Sequence, residues 1–425
     1  MNRFLIVLLF LMLCFPQSLM GLKAGILAIL LIASIYKTFT LSEQTYLPKY
    51  LYWILFFFLS GLFSLTYGVV KGNPGAHFFL LTYLVWPLVF PLIFKLLDNN
   101  SFRSLFGLFK FSYVILLITG AIAFLQMNLG VFSFFPPELF GYEIVEYARP
   151  MYLFISPSGP ATVSFFILFS FLLSYYCLDN KKMSIKRVLF LLMGFVYIII
   201  TSRRVMMFGF IYIPILFILL SILSKRHNIF PIYNKFKIRN TLVVYIFPII
   251  CLIFGIGYIF ADMSDFSLFF SSAFSSDGDF GSGENVRLDQ RVALLNGWYD
   301  NFFFGAGTGI NASVVRNDIP GVYELSYYAS LFERGLFNGF FYLFLLFIPV
   351  VWTVRLARKC IYGDNYIFML SYAVSYISLL FANATNPYMG SFDFMWVIFM
   401  FIALLNIVER KIIYEAKSLC DYKGI

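Results

Sequence analysis

Apolar residues run along this chain in near-continuous blocks of about 16–22 residues, parted by short polar or basic breaks. Within a block the hydrophobic positions follow neither a single helical stripe nor a strict alternation. "LYWILFFFLSGLFSLTYGVV" at 51–70 and "FSYVILLITGAIAFLQMNL" at 111–129 are apolar on every side. A helix that is hydrophobic all round is enclosed by protein or by lipid. The blocks predict twelve spans, at 4–18, 22–36, 50–70, 77–95, 109–129, 161–178, 187–201, 205–224, 241–261, 337–355, 366–383 and 393–408. Each is long enough, or nearly so, for a hydrocarbon core of about 30 Å. Barrel strands would show alternating segments of about 10 residues instead. The expectation is an all-α polytopic membrane protein, a single membrane domain over 1–425.

Two breaks are much longer than the rest, 130–160 and 262–336. Loops of this length inside a compact domain are functional or disordered. Both are expected to carry short amphipathic helices, and re-entrant segments in the second.

Composition agrees with the pattern. The chain is 61% hydrophobic and 12% charged, with mean hydropathy +0.85. An ordinary globular domain is about 25% charged, so no soluble fold covers this much apolar surface. The N-terminal run "MNRFLIVLLFLMLCF" has the basic start and apolar stretch of a signal peptide but no small-residue cleavage site, and is taken as the first span.

The net charge of +10 would suggest nucleic acid in a soluble protein. Here the cations sit in short loops, as topology signals, and no nucleic-acid partner is expected. With the N-terminus inside, only Lys23, Lys71, Arg149, Arg203, Arg204, Arg287, Arg291, Arg316 and Arg334 of the 31 Lys and Arg fall outside. That bias puts both termini in the cytoplasm. The outside cations break the sorting rule, so each needs a reason. The five cysteines are scattered without a C-x-x-C pair, which argues against zinc or a disulfide framework.

The chemistry-bearing residues cluster on the outside. In "GENVRLDQRVALLNGWYDN", 283–301, Arg287 and Arg291 are four apart and share a helix face, with Val292, Leu295 and Trp298 or Tyr299 on the other. Such a helix lies at a membrane surface and offers cations to an anionic headgroup. Pairing with Asp289, Asp300 or lipid phosphate explains the same pattern. In "TSRRVMM", Arg203 and Arg204 stand between two spans with almost no loop. A guanidinium fork suits phosphate oxygens, and lipid snorkelling is the alternative. Arg149 precedes "SPSGP", where Ser158 as cap and Pro160 in the first turn would start a helix. In "YELSYYASLFERGLFNG", 323–339, Glu324 is either a general base or the partner of Arg334 or Arg316, and Gly335 can end that helix. Between these segments lies "GAGTG", with glycines at 305, 307 and 309. It lacks the spacing of a dinucleotide loop. It is either a packed turn offering backbone N–H groups to a sugar or phosphate, or a flexible hinge.

The order Arg149 … "SPSGPA", "TSRR", Arg287 … Arg291 … Trp298 … "GAGTG" … Glu324-Leu-Ser-Tyr-Tyr … "GLFNG", with the two enlarged outside loops, resembles bacterial O-antigen polymerases and the wider O-antigen ligase/polymerase superfamily. The resemblance implies a GT-C-like helical membrane fold at the bacterial inner membrane. It implies polymerisation of undecaprenyl-diphosphate-linked oligosaccharide repeat units without a metal or other cofactor, alongside a flippase and a chain-length regulator. Glu324, Arg287 and Arg291 would then be catalytic. Arg149, Arg203, Arg204, Trp298, Gly305, Gly307 and Tyr327 would bind the diphosphate and glycan. Ligases of the superfamily carry a histidine in the large outside loop. Residues 262–336 contain none, which points to polymerase over ligase. A lipid-oligosaccharide flippase is a further alternative, opposed by the scarcity of charge within the spans.

Overall fold

The computed structural model describes residues 3–40, 46–132, 134–148, 153–179, 184–201, 204–224, 282–315, 320–359 and 364–422. Twelve α-helices form over these residues: α1 (Arg3–Cys14), α2 (Met20–Thr40), α3 (Pro48–Val70), α4 (Trp86–Phe94), α5 (Ser101–Leu129), α6 (Pro160–Leu178), α7 (Ile185–Ile200), α8 (Arg204–Leu223), α9 (Ser282–Asp300), α10 (Ser326–Lys359), α11 (Asp364–Asn383) and α12 (Phe392–Tyr422). Eight helical segments are long and apolar enough to cross a membrane. The chain is therefore a helical, multi-pass membrane protein. Other expected spans fall on α1, α7 and α8, where the described apolar stretches are shorter. The expected span 241–261 lies outside the described residues.

The centre of the bundle is α6 against α11, both enclosed along nearly their whole length. The Phe171 and Phe368 rings meet across this contact at 4.9 Å, and both helices also bury small residues. Ser164, Ser170 and Ser174 of α6, and Ser371, Ser375 and Ser378 of α11, are all buried. Small side chains let helix backbones approach in a membrane, where apolar burial alone gives helices no preference for each other over lipid. The Ser375 hydroxyl crosses the gap and donates to the Ile167 carbonyl at 2.7 Å.

The fourth expected span is irregular. A 3-10 turn at Ala76–Phe79 and a π-helical stretch at Leu81–Val85 precede α4. Pro87 and Pro91 lack N–H donors and interrupt the regular ladder. The π stretch brings Tyr83 against Gly61 of α3, where an added Cβ would lie 3.0 Å from the tyrosine Cβ.

The first enlarged loop departs from expectation. It holds an antiparallel hairpin, β1 (Glu143–Ala148) with β2 (Leu153–Ser158), in the register Glu143↔Ser158 to Ala148↔Leu153. No amphipathic α-helix forms among its described residues; only a 3-10 turn at Pro137–Phe140 precedes the hairpin. The β-branched and aromatic residues of "EIVEYA" and "LFIS" favour the strand. Arg149 lies outside the described residues. The cap expected of Ser158 is likewise absent: Gly159 is the N-cap of α6 without a side-chain cap bond, and Pro160 occupies the first turn.

Two ends of the bundle are defined by ion pairs. At one end Lys23 of α2 and Asp393 of α12, both fully buried, pair with each other. Asp393 also accepts the Gln17 N–H at 2.8 Å, and Lys23 donates to the Phe15 carbonyl at 2.7 Å. Lys23, one of the cations expected outside, thus has a structural reason: it ties the α1–α2 turn to the start of α12. At the other end Lys49 of α3 pairs with Glu409 of α12.

Candidate functional site

The site grows from a stripe on α3. Ser60, Ser64 and Gly68 are four residues apart, so they stack on one face. The face is smooth and buried. What fills it is the backbone of the glycine run. The Ser64 carbonyl accepts the Thr308 N–H at 3.1 Å, and the Ser64 and Thr308 hydroxyls meet at 2.8 Å. At Gly68 any side chain would collide with the Thr308 carbonyl. Ser64 lies six residues inside the Val70 end of α3, roughly 9 Å along the axis. The run at 305–309 therefore packs along the last turns of α3, short of the helix end.

Irregular backbone at that depth persists only where protein covers it and every polar group is paired. Residues 305–309 are all buried. Their N–H groups donate, in order, to the carbonyls of Asn301 (2.8 Å), Phe332 (2.8 Å), Glu333 (2.9 Å) and Ser64 (3.1 Å), and to the Glu333 carboxylate (3.1 Å). The Asn73 amide donates to the carbonyls of Ala306 and Thr308, and the Gly309 carbonyl accepts the Gly75 N–H. Gly307 takes φ +86° with its α-carbon beside Gly68. The run is a packed turn, not a hinge. Its amides, including those of Gly305 and Gly307, are engaged within the protein and are not offered outward.

Gly335, at φ +70°, breaks α10 into a short helix over 326–334 and the long span that follows. Just before the break, the Arg334 guanidinium is fully buried, 4.1 Å from the Tyr342 ring and 4.6 Å from the Tyr83 ring. It donates to the Ser60 carbonyl at 3.2 Å and hydroxyl at 3.1 Å. Arg334, a second cation expected outside, thereby joins the small-residue stripe. Arg334 and Asn338 line a cleft of about 400 Å³ walled by Phe63, Phe303, Phe304, Phe337 and Phe341, all exposed at the surface.

Above this platform a small separate core of Leu294, Ala306, Tyr323, Ala329 and Phe332 fixes α9 against the first turns of α10. Gly297 lets α9 sit directly on the Phe332 ring. The buried face of α9 is therefore Gln290, Ala293 and Leu294, while Val292 and Tyr299, expected on the face opposite the arginines at the membrane surface, are exposed. The Tyr323 hydroxyl accepts the Ala312 N–H at 2.6 Å and donates to the Ile310 carbonyl. Burial pushes that phenol above its ordinary range, so it stays neutral.

This packing brings two of the predicted residues together. Arg287 Nε donates to Glu324 Oε2 at 2.6 Å, with the arginine 41% and the carboxylate 14% exposed. Arg334, one expected partner of Glu324, is engaged at Ser60 instead; the other, Arg316, lies outside the described residues. Arg291, one turn on, is exposed and away from the pair. Trp298 is half-buried, stacked on Phe302 at 5.1 Å and Tyr299 at 5.4 Å. Tyr327 donates to the Leu380 carbonyl of α11 at 2.7 Å, a packing role. Arg204 opens α8; Arg149 and Arg203 lie outside the described residues. Among the described residues no group of three His, Cys, Asp or Glu could hold a metal ion.

Asn73, Gln290, Glu333 and the Ser60–Ser64–Gly68 stripe were not among the predicted site residues. The four-residue spacing of small residues in α3 was the available signal. Fold and site together define a multi-pass helical membrane protein with a buried, glycine-built platform beside an arginine–carboxylate pair. No protein-family model and no curated protein sequence matches this chain.

Proposed function

We propose that this chain is a glycosyltransferase using lipid-diphosphate sugars. It polymerises undecaprenyl-diphosphate-linked oligosaccharide repeat units into a surface polysaccharide at the outer face of the bacterial inner membrane, with twelve spans, a GT-C-like arrangement and both termini cytoplasmic. The observation that carries the reading is the Arg287–Glu324 pair, half-exposed on a rigid platform. A hydroxyl of the incoming unit forms a bond to the anomeric carbon of the growing chain, whose bond to the lipid diphosphate breaks. The hydroxyl proton passes to the Glu324 carboxylate. The Arg287 Nη groups stabilise the charge on the departing diphosphate while Nε holds the carboxylate in place. The phenylalanine-walled cleft suits the isoprenoid chain of the carrier. The absence of histidine from 262–336 favours polymerase over ligase.

The test is reconstitution of the full chain with defined lipid-linked repeat units and gel analysis of the products. Arg287→Ala is expected to lower polymerisation about 100-fold or more, as loss of one charge-stabilising donor does, leaving single-repeat glycans. Glu324→Gln keeps an acceptor for Arg287 and hence the local fold, yet removes the base. Full ladders from both variants would sink the proposal.

A further inference from the structure

At the end of the bundle opposite the glycine platform, three elements enclose a second basic site. The last turns of α10 bring Arg355, Arg358 and Lys359 beside Lys49 of α3 and Glu409 of α12, around a cavity of about 390 Å³ backed by Trp352. Its one carboxylate is already committed. Glu409 pairs with Lys49 and accepts the Tyr50 hydroxyl at 2.6 Å. Lys49 also lies over the Tyr50 and Trp352 rings, at 4.8 and 5.6 Å. Arg358 spends Nε on the Leu223 carbonyl of α8 at 2.7 Å, leaving its Nη groups.

Arg355, Arg358 and Lys359 therefore stand at i, i+3 and i+4, where like charges on a helix repel. No described carboxylate faces them across the cavity except the committed Glu409. The negative end of the α10 dipole offsets part of this repulsion. An anion between the side chains would offset more.

A second feature identifies the source of that anion. Phe344, Phe347 and Val351 are exposed along α10 and lead, one turn at a time, to Arg355. Apolar surface thus runs straight into the basic cavity, at the level where α3 begins and α10 ends. We infer that this cavity is a binding site for the phosphate headgroup of an anionic phospholipid whose acyl chain lies along the Phe344–Val351 face. The site is separate from the polymerisation site and does not depend on it.

The test uses the full chain in neutral detergent, with native mass spectrometry counting retained lipids and thermal melting as a second readout. The probes are phosphatidylglycerol, phosphatidylcholine and free glycerol phosphate. Arg355→Gln with Lys359→Gln changes only exposed side chains, so the fold is retained. Arg103→Gln with Lys110→Gln, also exposed, is the charge-matched control on α5. The wild type and the control should retain phosphatidylglycerol and melt higher with it. The α10 double variant should bind it roughly thirty-fold more weakly, the attraction of two basic side chains. Equal retention of phosphatidylcholine, unchanged phosphatidylglycerol binding in the α10 variant, or equal stabilisation by glycerol phosphate would each overturn the inference.

Discussion

At the scale of single residues, the glycines separate two costs that are usually confounded. Gly72 and Gly307 both take left-handed backbone, at φ +73° and +86°. An added Cβ at Gly72 meets nothing within 4 Å, whereas at Gly307 it meets the Gly68 α-carbon at 2.7 Å and the Asn73 amide at 2.9 Å. Gly72→Ala should therefore cost only the backbone term, about 1–2 kcal/mol. Gly307→Ala adds a steric term against backbone that cannot move without leaving α3, for a total of about 3 kcal/mol or more. Thermal melting of the two purified variants reads the difference directly. Similar melting temperatures would mean the turn yields, as a hinge does. The same scale explains Lys23, Lys71 and Arg334. Each breaks the charge-sorting rule and each has a local partner: Asp393, the Tyr67 ring at 4.6 Å, and Ser60 with two tyrosine rings.

At the scale of elements, hydrophobic runs announce spans because lipid imposes a length and an all-round apolar surface, so α3, α5, α6 and α12 could be read from composition alone. The face by which a helix packs is harder to read when every side is apolar. The α6–α11 contact includes a hydroxyl bond from Ser375, a residue that carries little weight in a hydropathy pattern. Ser375→Ala removes one hydroxyl bond and should cost under about 1 kcal/mol, while Ser375→Leu also forces the helices apart and should cost about 2–4 kcal/mol. Melting in detergent distinguishes these, and a tolerated leucine would mean the contact is looser than drawn. The hairpin of the first enlarged loop is hard to read because Glu143, Glu146 and Pro157 obscure the strand signal of its short segments. On α9 the large apolar side chains mark the face expected at the membrane surface, and the small residues Ala293 and Gly297 set the face packed against α10. The Arg287–Glu324 pair joins positions 37 residues apart. Its members were visible in the sequence, but their partnership depends on the turn of 305–309 folding back, which no local pattern encodes.

At the scale of the whole molecule, the two ends of the bundle differ in kind. One is built from a buried ion pair, a hairpin and a packed glycine turn; the other from exposed basic clusters. The proposed orientation makes a direct prediction: in intact cells a membrane-impermeant maleimide should label Lys71→Cys and leave Lys186→Cys untouched until the cells are opened. The reverse pattern would invert the protein and remove the proposed site from the outer face. The packed glycine turn also sets a schedule for biogenesis. Ser64 and Thr308 meet across 244 residues. At bacterial-type synthesis rates of about 5–20 residues per second, the smooth stripe of α3 waits roughly 12 to 50 seconds for the backbone that covers it. Throughout that interval α3 presents serine hydroxyls and a bare glycine to lipid or to an insertion factor. Chains truncated before the turn should thus be recognised by membrane proteases as unfinished, however well their first spans have inserted.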